Sequence, residues 1–447
     1  MRIVLVSTYE MGRQPFGLAS PAAWLREAGF DVTCVDLSIE AFAEDSLRAA
    51  DLIAFYVPMH TATRMAVRAL DDARRVNPAA HICFFGLYAA ENSDYLRRLG
   101  VDTILGGEFE APLVRLTTWL AATRAVPLPP LAIPVISLDR QAFRVPDRRG
   151  LPPLASYAHL ALPDGSQRLV GYVEASRGCK HLCRHCPIVP VYNGRFRVVG
   201  RDVVLADIRQ QVAAGAQHIT FGDPDFFNGI GHALPLVEAL HAEFPNLTYD
   251  VTIKVEHLRK HIGQLETLKA TGCLFITSAV ESFDSDILAI FDKQHTTEDF
   301  ETVLAACRRL ALPLVPTFVA FTPWTTLDGY RLFLSEIARL ELVESVAPVQ
   351  YTIRLLIPPG SRLLDLPQVQ ALVGPLDDAK LSYAWRNPDP RVDALQHELS
   401  GMVQRMTRRP RHEVFAHVWA HAFGDSHRLP PLPPGLPPPY VTEPWFC

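Results

Sequence analysis

Three cysteines lie within one short stretch, SRGCKHLCRHCPIVP, at Cys179, Cys183 and Cys186. The spacing C-x-x-x-C-x-x-C lets a single loop direct three thiolates at one metal centre, and thiolates suit iron–sulfur clusters and zinc. Three protein ligands leave one coordination position open, and an open position on a metal usually indicates chemistry. The sequence therefore predicts that these cysteines ligate a catalytic metal centre.

Cationic side chains surround the thiols and favour their ionised form: Arg177, Lys180, His181, Arg184 and His185. A structural zinc held by the three cysteines and either His181 or His185 is an open alternative. A c-type haem is disfavoured because Pro187, not histidine, follows Cys186. A disulfide is disfavoured in a reducing compartment.

Composition predicts a globular protein of two or three domains, because the chain has 447 residues with 49% hydrophobic and 20% charged content. A net charge of −5 gives no argument for nucleic acid or an anionic membrane as partner. The N-terminal stretch MRIVLVSTYEMG lacks the apolar run of a signal peptide or membrane span, which predicts a cytoplasmic location. Four further cysteines lie in apolar segments and are predicted to be buried structural thiols: Cys34, Cys83, Cys273 and Cys307.

Residues 1–125 alternate short apolar strands with helical runs, which predicts a Rossmann-like α/β domain with a parallel sheet. Its strand candidates are RIVLVS, DVTCVDL, DLIAFYV, HICFFG and VDTILGG. Ligands of such sheets bind at the carboxyl ends of the strands. Residues 126–165 are rich in proline and are predicted to be a linker that crosses a surface.

Residues 166–360 return to the alternation, with six strand candidates from LVGYVEAS to VQYTIRLLI. Six units are too few for a closed eight-stranded barrel, so we expect a partial (β/α)6 TIM-type barrel with its site at the strand carboxyl ends. Residues 361–428 are predicted to be mostly helical. Residues 429–447 are proline-dense and are predicted to form an extended, exposed arm.

The cysteine loop after the first strand of such a barrel resembles the radical S-adenosylmethionine (SAM) superfamily. The resemblance implies a [4Fe–4S] cluster whose fourth iron is chelated by the amino and carboxylate groups of SAM. Reductive cleavage of SAM would yield a 5′-deoxyadenosyl radical, and a reductant such as flavodoxin or ferredoxin would supply the electron. His185 takes the position before the third cysteine, where an aromatic residue often stacks near the adenine.

The same resemblance implies cofactor contacts on the second barrel strand, which ends HITFGDPDFF. It assigns the SAM ammonium to Gly222 and Asp223, with Asp225 as the alternative. A helix cap is the other interpretation of Asp225, since aspartate commonly precedes a helix.

The third and fourth strands carry the remaining SAM candidates. Lys254 is implied to lie near the cofactor carboxylate, whereas an exposed lysine at a sheet edge is the alternative. Glu281 and Ser282, in SAVES, match an element that contacts the ribose in related enzymes.

The order of a sheet domain, the linker DRRGLPPLASYAHL and the cysteine loop resembles cobalamin-binding radical enzymes. The D-x-H-x-x-G motif is absent, so no lower histidine ligand is predicted. The implied cobalamin contacts follow three strands: Ser7, Thr8, Tyr9, Gly86, Gly107 and Glu108. The alternative is a structural domain that binds no ligand.

The chain as a whole, including GDPDFFNGIGH, KVEHL and the ending EPWFC, resembles the CUAEP/CCAEP-tail radical SAM (seleno)protein family. That resemblance implies that Cys447 is part of a mobile redox pair and that the gene continues through a UGA codon read as selenocysteine. A surface tail without a catalytic part is the alternative.

These features together predict a radical enzyme that acts on an unactivated C–H or related bond of an unidentified substrate. Methyl transfer is the expected outcome if cobalamin binds; hydrogen abstraction with rearrangement, or thiol- or selenol-linked chemistry, is expected otherwise. The alternative function is a non-catalytic binding scaffold stabilised by zinc or an iron–sulfur cluster.

Overall fold

Two sheets, one parallel and one mainly parallel, organise the computed structural model, which describes residues 1–42, 44–123, 129, 131–424, 427–432 and 435–442. The first sheet lies in the N-terminal third of the chain and the second in the middle. The α/β architecture predicted from the sequence, a parallel-sheet domain followed by a partial barrel, is confirmed.

The first sheet has six parallel strands in the order β2-β1-β3-β4-β5-β6. Its strands are β1 (Arg2–Ser7), β2 (Asp31–Asp36), β3 (Leu52–Tyr56), β4 (His81–Phe85), β5 (Thr103–Gly107) and β6 (Ile136–Ser137). The order reverses between β1 and β3, and such a reversal opens a crevice at the strand carboxyl ends where doubly wound sheets bind ligands.

Helices cover both faces of this sheet because its strand side chains are apolar on both sides. The helices are α1 (Phe16–Glu27), α2 (Glu44–Arg48), α3 (His60–Val76), α4 (Leu87–Glu91), α5 (Ser93–Arg98) and α6 (Glu110–Thr123). Alternate residues of β1 enter opposite cores: Val4 and Val6 pack on one side, and Ile3 and Leu5 pack on the other.

The sixth strand comes from the segment predicted to be a linker. The amide groups of Gly106 and Glu108 donate to the carbonyl oxygens of Val135 (2.6 Å) and Ser137 (2.7 Å). A run with several prolines thus supplies a short edge strand, where a missing amide donor is tolerated.

The middle of the chain forms the partial barrel. Its strands are β7 (His159–Ala161), β8 (Gln167–Val173), β9 (Ser176–Gly178), β10 (Phe196–Val198), β11 (His218–Phe221), β12 (Thr248–Thr252), β13 (Cys273–Glu281) and β14 (Leu314–Phe318). Its helices are α7 (Ile188–Tyr192), α8 (Arg201–Ala213), α9 (Ile230–Glu243), α10 (Val255–Lys260), α11 (Leu265–Ala270), α12 (Ser285–Phe291), α13 (Thr297–Arg309) and α14 (Leu327–Arg339). Strands β8 and β11–β14 run parallel, whereas β9 and β10 form a separate antiparallel ribbon.

The sixth barrel strand predicted from VQYTIRLLI is reduced to one parallel bridge between Phe321 and Arg354. Its first residues form a 3₁₀ helix, Pro348–Tyr351. The Gln350 side chain accepts the amide hydrogen of Phe318 at 2.8 Å, so a side chain takes the place of the backbone acceptor that a sixth strand would offer. The barrel therefore has five parallel strands where six were expected.

The C-terminal part contains α15 (Pro367–Gln370), β15 (Val373–Asp377), β16 (Ser382–Trp385), α16 (Pro390–Arg405), α17 (Arg411–Phe423) and β17 (Tyr440–Val441). Helices α16 and α17 agree with the helical prediction, but β15 and β16 form an antiparallel hairpin that it missed. Strand β17 pairs antiparallel with β7 and completes the second sheet, whose order is β14-β13-β12-β11-β8-β7-β17. This part of the proline-rich tail is therefore docked on the sheet and is not a free arm.

The carboxyl ends of the two sheets face each other. The Tyr157 hydroxyl donates to Asp36 at the end of β2 (2.9 Å), and the ring of Phe16 lies 6.1 Å from that of Tyr172 near the end of β8. Helix α7, which follows the cysteine loop, packs against α4 and β5. None of the helices built from the described residues is long and apolar enough to span a membrane.

Candidate metal and cofactor site at the facing sheet edges

The cysteine loop begins at the end of β9. Gly178 has φ of +70°, and a Cβ there would lie 2.3 Å from the Arg195 carbonyl oxygen, so only glycine fits at the entrance to the loop. Cys179 and Cys183 are buried and Cys186 is half-buried. The ribbon of β9 and β10 therefore presents the three predicted metal ligands together beyond the end of β8.

Two polar side chains point at the thiols. The Asn228 amide nitrogen lies 3.4 Å from Cys179 Sγ, and Lys254 Nζ lies 3.7 Å from Cys183 Sγ. Burial raises the pKa of Cys179, and burial together with the neighbouring thiols raises the pKa of Cys186 to about 12. A bound cation would offset this cost of ionisation, because metals bind the thiolate form.

The cysteines are not among the groups of three potential ligand atoms that lie closest together in the described chain. Within the described ranges, the one set of three His, Cys, Asp or Glu ligand atoms within 4.8 Å of one another belongs to His181, Asp225 and His257, not to the cysteines. Zinc–sulfur bonds of 2.3 Å at tetrahedral angles bring sulfur atoms to about 3.8 Å from one another. Both a single zinc ion and a cluster therefore stay open at the three thiols, and the cluster stays a prediction.

Glu281 lies beside the loop in an unusual backbone conformation. Its φ is +71°, at an irregularity of β13, and such conformations cluster at functional sites. Its Oε1 lies 3.1 Å from Lys293 Nζ and 3.1 Å from His185 Nε2. Burial opposes ionisation of Glu281, but Lys293 and His185 hold its pKa well below the usual range. Glu281, the predicted ribose contact, is therefore ionised and holds His185 in position.

His185 is fixed on its other side by Phe291, whose ring stacks on the imidazole with centroids 4.3 Å apart. Lys293 is 3% exposed, and the Glu281 carboxylate and the nearby thiols raise its pKa although burial lowers it. Ser282, the second predicted ribose contact, accepts the amide hydrogen of Asp284 at 3.0 Å and closes a turn.

In the structure, Gly222 and Asp223 contact residues at or just after the end of β8. A Cβ on Gly222 would lie 1.8 Å from the Tyr172 hydroxyl, so packing alone explains this glycine. Asp223 accepts hydrogen bonds from the Ala175 amide (3.0 Å) and from the Ser176 hydroxyl, and burial raises its pKa to about 7. A contact between Asp223 and the SAM ammonium stays a prediction.

Asp225 caps a 3₁₀ helix, Phe226–Gly229, by accepting the Phe227 amide at 3.2 Å. Its second oxygen faces His181 and His257. Burial raises the pKa of Asp225, but the two imidazoles outweigh burial and lower it to about 2. The capping interpretation is confirmed, and the ammonium role stays a prediction.

Lys254 is only 7% exposed, so the alternative of an exposed edge lysine is wrong. Its Nζ lies between Cys183 Sγ and the Glu256 carboxylate, which is 3.2 Å away. The lysine therefore places a positive charge beside a predicted cluster ligand.

The cobalamin candidates on the first sheet are mostly engaged in packing. Thr8 donates to the Ala62 carbonyl at 2.8 Å, and Tyr9 is buried. Gly86 has φ of +113° with Val57 against it, and a Cβ on Gly107 would lie 2.2 Å from the Ser137 carbonyl oxygen. Ser7 differs: it is 1% exposed, and its hydroxyl has no hydrogen-bond partner among the described residues.

Glu108, the remaining candidate, belongs to a buried charge network between the two domains. Arg177 lies 3.3 Å from Glu108, 2.7 Å from Glu110 and 2.7 Å from Glu174. Burial raises the pKa of Glu108 to about 7 despite Arg177, whereas at Glu110 the arginine outweighs burial and lowers the pKa. Arg177, predicted as a partner of the thiolates, serves the domain interface instead.

Sequence reasoning missed four residues with buried polar groups, three of them in the barrel domain and one, Glu91, in α4. Asn228 and Lys293 contact or face the thiols. His295 is 7% exposed with both ring nitrogens unbonded within the described chain, and Glu91 has both carboxylate oxygens unbonded there. Only Asn228 carried a signal, because it follows the second barrel strand in GDPDFFNG. Cys447, the predicted tail thiol, lies outside the described residues.

Comparison with known proteins identifies the middle domain. Residues 173–325 match the family model described as the radical SAM superfamily. The hopanoid C-3 methylase of Methylococcus capsulatus is 24% identical over 327 residues, and the match covers 70% of this chain. The chain spans only 62% of that relative's length.

Solved structures share the two-sheet architecture. The cobalamin-dependent SAM radical enzyme OxsB, with aqua-cobalamin and SAM bound, matches with a TM-score of 0.68 at 13% identity, over 94% of this chain and 71% of its own. The radical SAM methyltransferase TsrM from Kitasatospora setae, with cobalamin and a [4Fe–4S] cluster bound, matches with a TM-score of 0.65 at 15% identity, over 93% of this chain and 99% of its own. The prediction of a radical SAM enzyme is confirmed at the level of this domain, and the non-catalytic scaffold is not favoured. The narrower CUAEP/CCAEP-tail resemblance stays a prediction.

Proposed function

We propose that the protein is a cobalamin-dependent radical SAM methyltransferase. The observation that carries the proposal is that the cysteine loop continues through α7 directly onto α4 and β5 of the first sheet. The predicted cluster ligands and the predicted cobalamin edge therefore meet at one interface. Methyl transfer requires this proximity, because the methyl group passes from cobalamin to a substrate radical that the 5′-deoxyadenosyl radical generates.

In this proposal Cys179, Cys183 and Cys186 hold a [4Fe–4S] cluster, which with SAM supplies a 5′-deoxyadenosyl radical. Asn228 and Lys254 donate to the thiolates, and donors to cluster sulfurs stabilise the added electron. Lys293 adds a further buried positive charge. An external reductant such as flavodoxin or ferredoxin supplies the electron.

The neighbouring side chains fit a bound SAM molecule. Phe291 and Glu281 fix the plane of His185, which orients the imidazole for a stacking contact with the adenine. His295 and Lys254 provide further polar groups in a buried setting where an amino-acid carboxylate could be paired. These residues bind and orient the nucleotide and exclude water from it.

The first sheet fits a corrinoid through uncommitted polar atoms at its carboxyl edge. The Ser7 hydroxyl and both oxygens of Glu91 are buried without hydrogen-bond partners in the described chain. A corrin ring carries amide side chains that would satisfy both groups. Burial raises the pKa of Glu91 to about 8, so its carboxyl can donate as well as accept.

Anaerobic reconstitution tests the proposal. We expect a brown protein with about four irons per chain, cleavage of SAM on reduction, and corrinoid absorbance that stays with the protein after desalting. A Cys179→Ala variant should lose the iron, while Cys307→Ala, which removes a buried thiol far from the loop, should keep it.

The outcomes separate the parts of the proposal. A colourless protein with one zinc ion would contradict the radical chemistry altogether. Iron and SAM cleavage without retained corrinoid would contradict methyl transfer from cobalamin and support hydrogen abstraction alone.

A further inference from the structure

A second group of potential metal ligands lies beside the cysteine loop. It consists of His181, two residues after Cys179; Asp225, which follows β11; and His257 in α10. Their ligand atoms all lie within 4.8 Å of one another, so three separate segments of chain converge on one point.

The polar atoms of this group are not satisfied by each other. His257 Nδ1 lies 2.6 Å and His181 Nε2 lies 3.5 Å from Asp225 Oδ2. All three atoms are buried, and none of them has a properly oriented hydrogen bond in the described chain. Asp225 as a whole is only 1% exposed. Three ligand atoms that converge closely with poor hydrogen-bond geometry are typical of ligands aimed at a common cation.

The surroundings of His181 support the same interpretation. Its other nitrogen, Nδ1, lies 3.4 Å from the Glu256 carboxylate. Metal-binding histidines usually donate their second ring nitrogen to a carboxylate, which fixes the tautomer and increases ligand strength. Glu256 in turn lies 3.2 Å from Lys254, so the carboxylate that orients His181 is itself held in place.

We propose that His181, Asp225 and His257 bind a divalent first-row transition-metal ion that is separate from the cysteine-ligated centre. Two imidazoles and one carboxylate suit zinc or ferrous iron and leave at least one position for water. The ion ties the cysteine loop to the segments that follow β11 and β12, so it holds the loop in place whether or not the thiols are ligated.

Zinc binding by the anaerobically reconstituted protein tests this proposal. After addition of Zn²⁺ and desalting, we expect about one zinc per chain beside the iron. Zinc K-edge absorption should show nitrogen and oxygen neighbours at about 2.0–2.1 Å with imidazole scattering, and no sulfur at about 2.3 Å. A sulfur shell would mean that zinc occupies the cysteine loop and would overturn the proposal, as would retention of less than about a tenth of an equivalent.

Variants identify the ligands. His257→Gln and, independently, His181→Gln should lower zinc affinity at least about tenfold while the iron content is kept. His261→Gln is the matched control, since its ring centroid lies 6.2 Å from that of His257 but it is not a member of the group. Equal zinc affinity in the two ligand variants and the control would refute the assignment. Wild-type protein that binds zinc through nitrogen and oxygen neighbours but holds no iron would count against the proposed function instead, so the two failures are distinguishable.

Discussion

The two sheets offer the same topological position, the carboxyl ends of parallel strands, but fill it differently. Beyond the barrel strands, buried polar groups converge on the thiols: Asn228, Lys254 and Lys293. Beyond the strands of the first sheet, the predicted residues are mostly bonded within the fold, as Thr8 is to Ala62. The position alone therefore does not make a site; at the barrel edge, buried polar groups that face the thiols are added to it.

This difference makes the assignment of a metal centre at the barrel edge stronger than the assignment of a cobalamin site at the first sheet. The barrel edge has a ligand set whose residue types and spacing specify a metal centre. At the first sheet, Ser7 and Glu91 carry buried oxygens without hydrogen-bond partners in the described chain, and only Ser7 of these two lies in a predicted motif. The comparison predicts that substitutions at the barrel edge remove SAM cleavage, whereas those at the first sheet change stability or corrinoid binding and leave SAM cleavage in place.

The largest effect is expected for Cys183→Ser. Loss of one of three ligands should reduce the iron content from about four per chain to near zero and reduce SAM cleavage by about a thousandfold or more. Cys273→Ala is the control, because Cys273 is a 1% exposed thiol in β13 that belongs to the apolar core. Iron analysis and a deoxyadenosine assay measure both variants. Full iron content in Cys183→Ser would remove the basis of the comparison.

Lys293→Met should cause the next largest effect. It leaves the buried Glu281 carboxylate without its lysine, and breaking a buried ion pair on one side costs about 3–5 kcal/mol in unfolding free energy. The double variant Lys293→Met/Glu281→Gln should recover part of this loss because no uncompensated charge remains. Urea unfolding of both variants checks the prediction. It fails if the single variant is as stable as the double variant.

Glu91→Gln should change the pH dependence of stability. The pKa of the folded carboxyl is raised to about 8 by burial, whereas the unfolded value is near 4.5, so unfolding releases a proton between these values and the free energy of unfolding falls as pH rises. The variant lacks this slope and should gain about 2–4 kcal/mol over the wild type between about pH 5 and about pH 8.5.

Urea midpoints at the two pH values measure the Glu91 effect. Glu238→Gln is the control, since Glu238 is an exposed residue of α9. Parallel pH profiles for wild type and Glu91→Gln would show that the Glu91 carboxyl finds a partner in solution.

The smallest effect is expected for the difference in stability between the two glycine substitutions Gly107→Ala and Gly29→Ala. Both glycines have positive φ, +71° and +85°, which costs alanine about 1–2 kcal/mol. At Gly107 the new Cβ would also meet the Ser137 carbonyl at 2.2 Å, whereas nothing lies within 4 Å at Gly29. Gly107→Ala should therefore be less stable by a further 1–3 kcal/mol or so in urea unfolding. Equal stabilities together with a selective loss of corrinoid from Gly107→Ala would assign this glycine to cofactor binding.

Much of the fold was predictable because its strands are short apolar runs between helices. All five predicted strands of the first sheet, from β1 to β5, lie where the sequence placed them. Strand β6 was missed because proline-rich sequence reads as a linker, and its pairing depends on the distant amides of Gly106 and Glu108. The sixth barrel strand was overpredicted because the period of VQYTIRLLI does not reveal that the Gln350 side chain bonds to Phe318.

The site was predictable only where chemistry dictates spacing. Three cysteines in one loop are informative by themselves, whereas Lys293 becomes significant only through its contact with Glu281, twelve residues away in the chain. Gly222 was assigned to a cofactor because glycine permits close approach; the fold shows the Tyr172 hydroxyl against it, and the contact with SAM stays a prediction. Sequence shows that space is needed, and only the fold shows what occupies it.

Strand β17 has a consequence for how the molecule behaves among its neighbours. By pairing with Leu160 and Ala161, it covers the rim of the second sheet, and the Thr442 amide adds a bond of 2.8 Å to the His159 carbonyl. An uncovered rim of this kind offers backbone donors and acceptors to any extended peptide, including another copy of the same chain. The C-terminal segment thus limits self-association through this sheet edge, and deleting it should favour aggregation even if every cofactor ligand is intact.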